Sequence, residues 1–389
     1  MAVNFTSIPL VDYQDSLSPD TKPRFLSALR SALVDVGFFY LQNPPIEAEV
    51  RETLVKTTGA FFDLPTKKKQ ELDVAHSKHF RGYGCAGAEK TATISDQRET
   101  LTVGIDAPVH GSDSPIYYGL EGPNQVWQET YIYPKWPLLT ITTKWLPEEA
   151  TPGLRKAVEV YIDQTQKLAE TFVFFIAEAL EIHPDAFTKV LQREYPYSLL
   201  RIGAYPQMDP SKPTAADIQG VGPHKDSSFL TYLLQGTGHS SLEAQNKAGT
   251  WISVPPYPEH TCGVCVATTH RVNLRPAQYL GANNMPLGKR LSFAFFQMVA
   301  LDVTPEDMRV VLPAHILALR EKDVKSDAET FFADLFKGPA GEALLTNCIT
   351  SYPEMGKRWY PEMLAKMLEQ QHKGKLLDDA RLAGKSQTV

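Results

Sequence analysis

Cysteine is scarce, four in 389 residues, which excludes a disulfide-stapled secreted scaffold and suits a reducing compartment. An excess of one charge is also lacking. Lysine and arginine number 39 against 45 aspartates and glutamates, a net of -6 with no long basic run. That balance argues against a nucleic-acid partner or a membrane-surface protein. Long apolar runs are missing too, since the most apolar helical stretch, from Phe172 to Leu180, is far too short to span a bilayer. The opening Met1-Ala2-Val3-Asn4-Phe5-Thr6 has neither the charged start nor the apolar run of a signal peptide. There is no internal repeat and no low-complexity tract. These absences leave the expectation of a soluble, cytoplasmic protein.

What is present is ordinary globular material, 43% hydrophobic and 22% charged, in a chain long enough for two or three domains. Its 29 prolines favour many short elements over a helical bundle. Ile8-Pro9-Leu10-Val11-Asp12 reads as a short strand. Apolar Phe25, Leu26, Leu29 and Leu33 predict a helix from Pro23 to Val36, stopped by Gly37. Phe38-Phe39-Tyr40-Leu41 reads as a buried strand, and a second helix is predicted from Glu47 to Phe62. The longest helix candidate runs from Pro152 to Ile182, on a stripe that includes Leu154, Val158, Tyr161, Leu168, Phe172 and Ile176. After Leu199 the texture changes to short period-two runs, and charged helices return from about Pro313 to Lys375. The order predicts a compact β core wrapped by helices at both ends.

The ten histidines are the natural place to look for chemistry. Two stand in a His-x-Asp pattern, which chance alone supplies about half the time. His183-Pro184-Asp185 follows the long helix and reads as a helix stop with an N-cap. His224-Lys225-Asp226 instead leads into the strand-like run ending at Leu234. On a strand, residues two apart share a face, so both side chains can converge. One more histidine completes a facial triad suited to non-haem Fe(II), with positions left open for co-substrate and dioxygen. His270, in the strand-like Thr269-His270-Arg271-Val272, is the best candidate. His239 and His260 lie in turn-like sequence and read as exposed loop histidines. Arg290-Leu291-Ser292 places a guanidinium and a hydroxyl on one strand face, a pairing suited to a carboxylate, with Leu291, Phe293 and Phe295 turned to the core.

In this order, these motifs resemble the isopenicillin-N-synthase-like branch of the Fe(II)/2-oxoglutarate-dependent dioxygenases. Ile8-Pro9-Leu10-Val11-Asp12, Gly37-Phe38-Phe39-Tyr40-Leu41, Phe61-Phe62-Asp63-Leu64-Pro65 with Lys67-Lys68-Lys69, and Arg81-Gly82-Tyr83 are similar to that family's opening domain. The likeness runs from about Ile8 to Met298. It implies a mixed α/β chain with a mainly β core, a double-stranded β-helix (jelly-roll) flanked by helices. The implied segments are an N-terminal dioxygenase domain at 1–120, the β-helix domain at 121–300 and a C-terminal helical extension at 301–389. His224, Asp226 and His270 would be the iron ligands, with no catalytic group beyond them. Arg290 and Ser292 would hold the distal carboxylate of 2-oxoglutarate, and Tyr205 would contact the same co-substrate. Gly203 stands where the family usually has a polar residue. The implied activity uses Fe(II), 2-oxoglutarate and dioxygen to hydroxylate, desaturate or rearrange a small organic molecule, in keeping with secondary metabolism. Two rivals are a 2-oxoglutarate-independent oxidase of the same family and an inactive, shortened member that only binds ligand.

The shortening is a departure from the family. Only 43 residues separate Asp226 from His270. The remainder of the first ligand strand's path, through four more strands, needs about 45 residues at five per strand and four per turn. The expectation is therefore that one or two core strands are missing near residue 261, displacing His270. Cys262-Gly263-Val264-Cys265 lies at the same spot, but with no second pair and no βαβ context a metal or redox role is the weaker reading. The stretch from Pro276 to Gly288 reads as an inserted loop.

Overall fold

The computed structural model describes residues 4–91, 94–111, 113–131, 137–143, 145–209, 211, 217–257, 261–265, 268–281, 284–319 and 337–369. His260, one of the histidines assigned to a loop, lies outside the described residues. Strand β1 (Leu10–Asp12) pairs in parallel with β2 (Phe38–Gln42), and between them runs helix α1 (Lys22–Ser31). Helix α1 widens into a π turn over Ala32–Val36 and stops at Gly37, in the left-handed region at φ 70°. A Cβ on Gly37 would lie 2.5 Å from Thr268 Oγ1, so both backbone sign and space require glycine there. Helix α2 (Ala48–Asp63) follows, then strands β3 (Gly82–Gly84) and β4 (Glu99–Gly104). Helix α3 (Leu154–Ala179) buries the predicted stripe, with Val158, Tyr161, Leu168 and Phe172 facing the core. Each of these three predicted helices is present to within a few residues of its expected ends.

The second half supplies β5 (Ser198–Tyr205), β6 (Ile218–His224), β7 (Leu230–Gln235), β8 (Leu242–Gln245), β9 (Trp251–Ser253), β10 (Thr261–Cys265), β11 (His270–Leu274) and β12 (Arg290–Gln297). Two sheets result. The larger has the order β1-β2-β10-β7-β12-β5-β4-β3, and the smaller β6-β11-β8-β9. Strands from both sides of residue 120 thus share one sheet. Alternation divides its residues between two faces. Leu200, Ile202 and Ala204 of β5, with Leu291, Phe293 and Phe295 of β12, join one apolar cluster with α1, α2 and α3. The intervening residues face a cavity.

The expected loss of strands near residue 261 does not occur. Strand β10 runs antiparallel between β2 and β7, pairing Cys262 with Leu41 and Val264 with Tyr232. The economy is made in element and turn length. Strands β8 and β9 have four and three residues, and only residues 266–269 join β10 to β11. The fold saves length in those two strands and in the turns, while β7, with six residues, and β10, with five, keep the expected length.

The C-terminal segment is more than an appendage. Helix α4 (Ala340–Ser351) places Leu344, Leu345 and Ile349 in an apolar cluster with Val74, Phe80, Tyr117, Leu120, Tyr197 and Met298. It thereby closes the side of the cavity that β5 and β12 leave open. Among the described residues, no helix is long and apolar enough to cross a membrane.

Candidate active site

His224 is the last residue of β6 and His270 the first of β11, and the two are direct cross-strand partners. Asp226 lies beyond the end of β6, in the link to β7, where the sheet register has already shifted between Val221 and His224. The convergence of His224 and Asp226 therefore comes from a chain leaving its strand, not from regular alternation. Nε2 of His224 stands 3.5 Å and Nε2 of His270 3.8 Å from the same oxygen, Asp226 Oδ1. One ligand atom from each residue lies within 4.8 Å of the other two.

Hydrogen bonds orient each member. His224 Nδ1 lies 2.8 Å from the Gly222 carbonyl oxygen and His270 Nδ1 3.0 Å from that of Thr268. A carbonyl only accepts, so each Nδ1 carries a proton and each Nε2 is turned toward the centre. Thr231 Oγ1 donates to the other Asp226 oxygen, Oδ2, at 2.6 Å, and Ser228 Oγ lies 2.8 Å from Thr231 Oγ1. Burial and the neighbouring His224 push the His270 pKa down to about 4, so its ring is neutral at pH 7. Burial raises Asp226, but His270, His224 and Thr231 outweigh it and hold the carboxyl well below the usual range. Burial lowers the His224 pKa, but the Asp226 carboxylate outweighs it and raises it, so this ring sheds a proton when a metal binds. Two imidazole Nε2 atoms and one carboxylate, aimed at one point, form a fitting donor set for a divalent metal.

Arg290, Ser292 and Tyr205 are also brought together. Arg290 pairs with Tyr205 and Ser292 with Gly203 across the β12–β5 ladder. The Arg290 guanidinium lies 4.6 Å from the centroid of the Tyr205 ring. Arg290 is 2% exposed, and its Nη1 has no hydrogen-bond partner. The buried hydroxyl of Tyr279 is likewise unpartnered. A buried guanidinium without a carboxylate is costly, so this end of the cavity is built for an anion supplied from outside. Gly203 keeps the space clear, since a Cβ there would lie 3.2 Å from Ser292 Oγ.

Several site residues escaped the motif reading. His239 is buried, not an exposed loop residue; its ring packs 4.4 Å from that of Tyr279, and Nδ1 meets Thr237 Oγ1 at 2.9 Å. Tyr279 itself closes a short 3-10 turn, Pro276–Tyr279, within the segment read as an inserted loop. Apolar Tyr279 directly after Pro276-Ala277-Gln278 was the available signal. The long helix stops before His183-Pro184-Asp185 as expected, and both side chains lie on the surface, although His183, not Asp185, caps the short turn that follows.

The cavity measures about 580 Å³, a size that suits a small molecule. Residues of β5 and β12 form its floor, the triad one wall, and Leu344, Asn347 and Cys348 of α4 another. Glu89, Arg98 and Arg201 also line it, a buried charge cluster with no counterpart in the motifs above.

The chain is similar to several known proteins. Residues 8–129 match the family model described as the N-terminal part of non-haem dioxygenases in morphine synthesis. Residues 190–297 match that of the 2OG-Fe(II) oxygenase superfamily. A 2-oxoglutarate-dependent dioxygenase of Gibberella zeae is 41% identical over 98% of this chain and 99% of its own. The 2-oxoglutarate-dependent dioxygenase frbJ of a Dothideomycetidae species is 35% identical, over 95% of this chain and 96% of its own. Among solved structures, a full-length Neurospora crassa protein in complex with alpha-KG and thymine aligns with a TM-score of 0.61 at 20% identity, covering 89% of this chain and 97% of that one.

Proposed function

The chain belongs to the 2OG-Fe(II) oxygenase superfamily, and from that premise we propose that it oxidises a small organic molecule at one iron held by His224, Asp226 and His270. The observation that carries the reading is the convergence of three donor atoms on one point, each residue oriented by a hydrogen bond at its other polar atom. In this reading the eight strands β5 to β12 form the double-stranded β-helix, in two sheets of four: β10-β7-β12-β5 and β6-β11-β8-β9. The N-terminal segment extends the larger sheet, and the C-terminal segment lends α4 to the cavity wall.

Iron and 2-oxoglutarate, when bound, would supply the oxidising chemistry, with dioxygen as the oxidant and succinate and carbon dioxide as the co-products. The chain's own residues hold and orient. His224 and His270 offer Nε2, and Asp226 offers Oδ1 while Thr231 fixes its second oxygen. Arg290, with Ser292 and Tyr205 beside it, receives the distal carboxylate of 2-oxoglutarate. The partnerless Arg290 Nη1 and Tyr279 hydroxyl support that assignment. Phe38, Leu233, Leu242 and Val272 give this end apolar walls that exclude water. Secondary metabolism suits the match to a family model described from morphine synthesis, and hydroxylation is the simplest outcome.

Anaerobic titration of the full chain with Fe(II) and then 2-oxoglutarate tests the reading. A metal-to-ligand charge-transfer band that saturates with 2-oxoglutarate is expected, followed in air by succinate release. Iron binding without that band would refute the co-substrate assignment. Failure to bind iron would refute the metal site.

A further inference from the structure

The floor of the cavity is a two-strand ladder with one arginine at its end and another near its middle. Tyr197, Leu199, Arg201, Gly203 and Tyr205 face it from one side, and Arg290, Ser292, Ala294, Phe296 and Met298 from the other. Arg201 pairs with Ala294, whose methyl leaves room for it, and Tyr205 with Arg290. Tyr205 lies four positions along the strand from Arg201, or about 13 Å. Arg201 is thus too far along the ladder to share the anion that Arg290 receives.

Its surroundings show what it lacks. Arg201 Nη1 donates to Glu89 Oε1 at 2.7 Å, and Arg98 Nη2 donates to Glu89 Oε2 at 2.7 Å. One carboxylate is therefore divided between two guanidinium groups. Asp96 stands 3.7 Å from Arg98, but its oxygens already accept from Thr91 Oγ1, Gln219 Nε2 and the Gly222 amide. Nε of Arg98 and Nε of Arg201 are both buried without a partner. Beside them the wall turns apolar, with Phe296, Met298 and Leu344, and the Arg201 guanidinium lies 5.9 Å from the centroid of the Phe296 ring.

We propose that the substrate is a carboxylic acid whose carboxylate docks on Arg201, with Arg98 behind it, while its carbon skeleton lies against Phe296, Met298 and Leu344 beside the metal triad. The inference rests on the oxygenase reading and names its substrate class. A second carboxylate would give each guanidinium a full anionic partner, with the paired N–H geometry that arginine offers and lysine does not. A neutral ester would forfeit the charge-assisted bonds and leave the donors unpaired.

Benzoate is the probe, because it carries a carboxylate on the smallest rigid apolar frame. The full chain is loaded with Zn(II) as a diamagnetic stand-in and with saturating 2-oxoglutarate, which blocks Arg290. Ligand-observed saturation-transfer NMR then reads benzoate, methyl benzoate and 2-oxoglutarate. Benzoate should bind and methyl benzoate should not. Arg201→Gln should weaken benzoate at least tenfold, and Arg201→Lys should recover part of that loss. Glu89→Gln, which removes the competing carboxylate and keeps both arginines, should tighten benzoate severalfold. The proposal is overturned if 2-oxoglutarate binds but benzoate does not, if the ester binds as well as the acid, or if Arg201→Gln leaves benzoate unchanged. Absence of 2-oxoglutarate binding in the unaltered chain would overturn the oxygenase reading instead, and the substrate assignment with it.

Discussion

Arg290 and Arg201 stand on neighbouring strands of one sheet, face the same cavity, and differ in what their guanidinium groups meet. Around Arg290 the described residues offer an aromatic ring and hydroxyls but no carboxylate. Around Arg201 a carboxylate is present but shared with Arg98. The first arrangement is incomplete until a ligand arrives, and the second is stable alone yet has donors to spare. An end that must always take the same co-substrate can remain uncompensated, since that ligand is always at hand. An end that waits for a particular substrate gains from an internal counter-ion that keeps the empty cavity folded.

Replacing Arg290 by methionine tests the uncompensated end and carries the largest expected effect. The Kd for 2-oxoglutarate should rise several-hundred-fold or more, on the order of 4 kcal/mol, as when one partner of a buried charge pair is truncated. The ligand-free protein should melt no lower than the parent, and higher if the buried charge is as costly as its surroundings indicate. A drop in ligand-free melting temperature would show that Arg290 has an internal partner after all, and the contrast would collapse.

Glu89→Gln tests the compensated end and should behave in the opposite way. It leaves two buried guanidinium groups without their shared anion, at a cost of about 3 kcal/mol in unfolding free energy at pH 7. Burial pushes the Glu89 carboxyl up, but Arg201 and Arg98 outweigh it and hold it at about 2, against an ordinary 4.5. A carboxyl depressed in the folded state stabilises fully above its unfolded pKa and loses that contribution as pH falls through the folded one. The gap between parent and variant, followed by urea unfolding, should therefore be constant well above pH 4.5 and narrow steadily from there toward about pH 2. A gap that does not change with pH would mean that Glu89 contributes packing and not charge.

The two ends also differ in how far the sequence revealed them. His224, Asp226, His270, Arg290 and Ser292 were legible because each stands at fixed spacing in or beside strand-like sequence, and order along the chain multiplied weak signals, whereas Tyr205 came only with the family resemblance. Glu89, Arg98 and Arg201 meet only through tertiary pairing. Glu89 and Arg98 flank a two-strand ribbon in a polar stretch, where charged residues usually mean solvated surface. Strand β10 was missed for a related reason. Thr-Cys-Gly-Val-Cys is a poor intrinsic strand, and it forms one because β2 and β7 supply hydrogen-bonding edges on both sides. The contribution of α4 to the cavity could not be read from a helix pattern, which reports an apolar face but not what it covers.

Thr231 stands on the triad itself, opposite Phe296 in the neighbouring strand, and separates metal holding from anion holding. Thr231→Val removes the hydrogen bond to Asp226 Oδ2 and should lower Fe(II) affinity about 10- to 100-fold, the usual effect of losing a group that orients a metal ligand. With metal supplied in excess, 2-oxoglutarate and benzoate should bind as in the parent. Loss of either anion under those conditions would mean that its end depends on the triad for its shape.

The smallest effect is expected at Gly203, where the floor is kept bare beside Ser292. A strand interior normally favours alanine over glycine by about 0.5–1 kcal/mol, so the missing side chain has a stability cost. The return is space, since a Cβ would press on Ser292 Oγ at 3.2 Å and touch Tyr205 at 3.5 Å. Gly203→Ala should therefore raise the melting temperature slightly while weakening 2-oxoglutarate about threefold, roughly 0.6 kcal/mol. Arg201 lies two residues away on the same face, and benzoate affinity should not move. Opposite signs for stability and co-substrate affinity, with the substrate end silent, would place the space requirement at the Arg290 end alone. Equal weakening of both anions would instead make the floor a single unit.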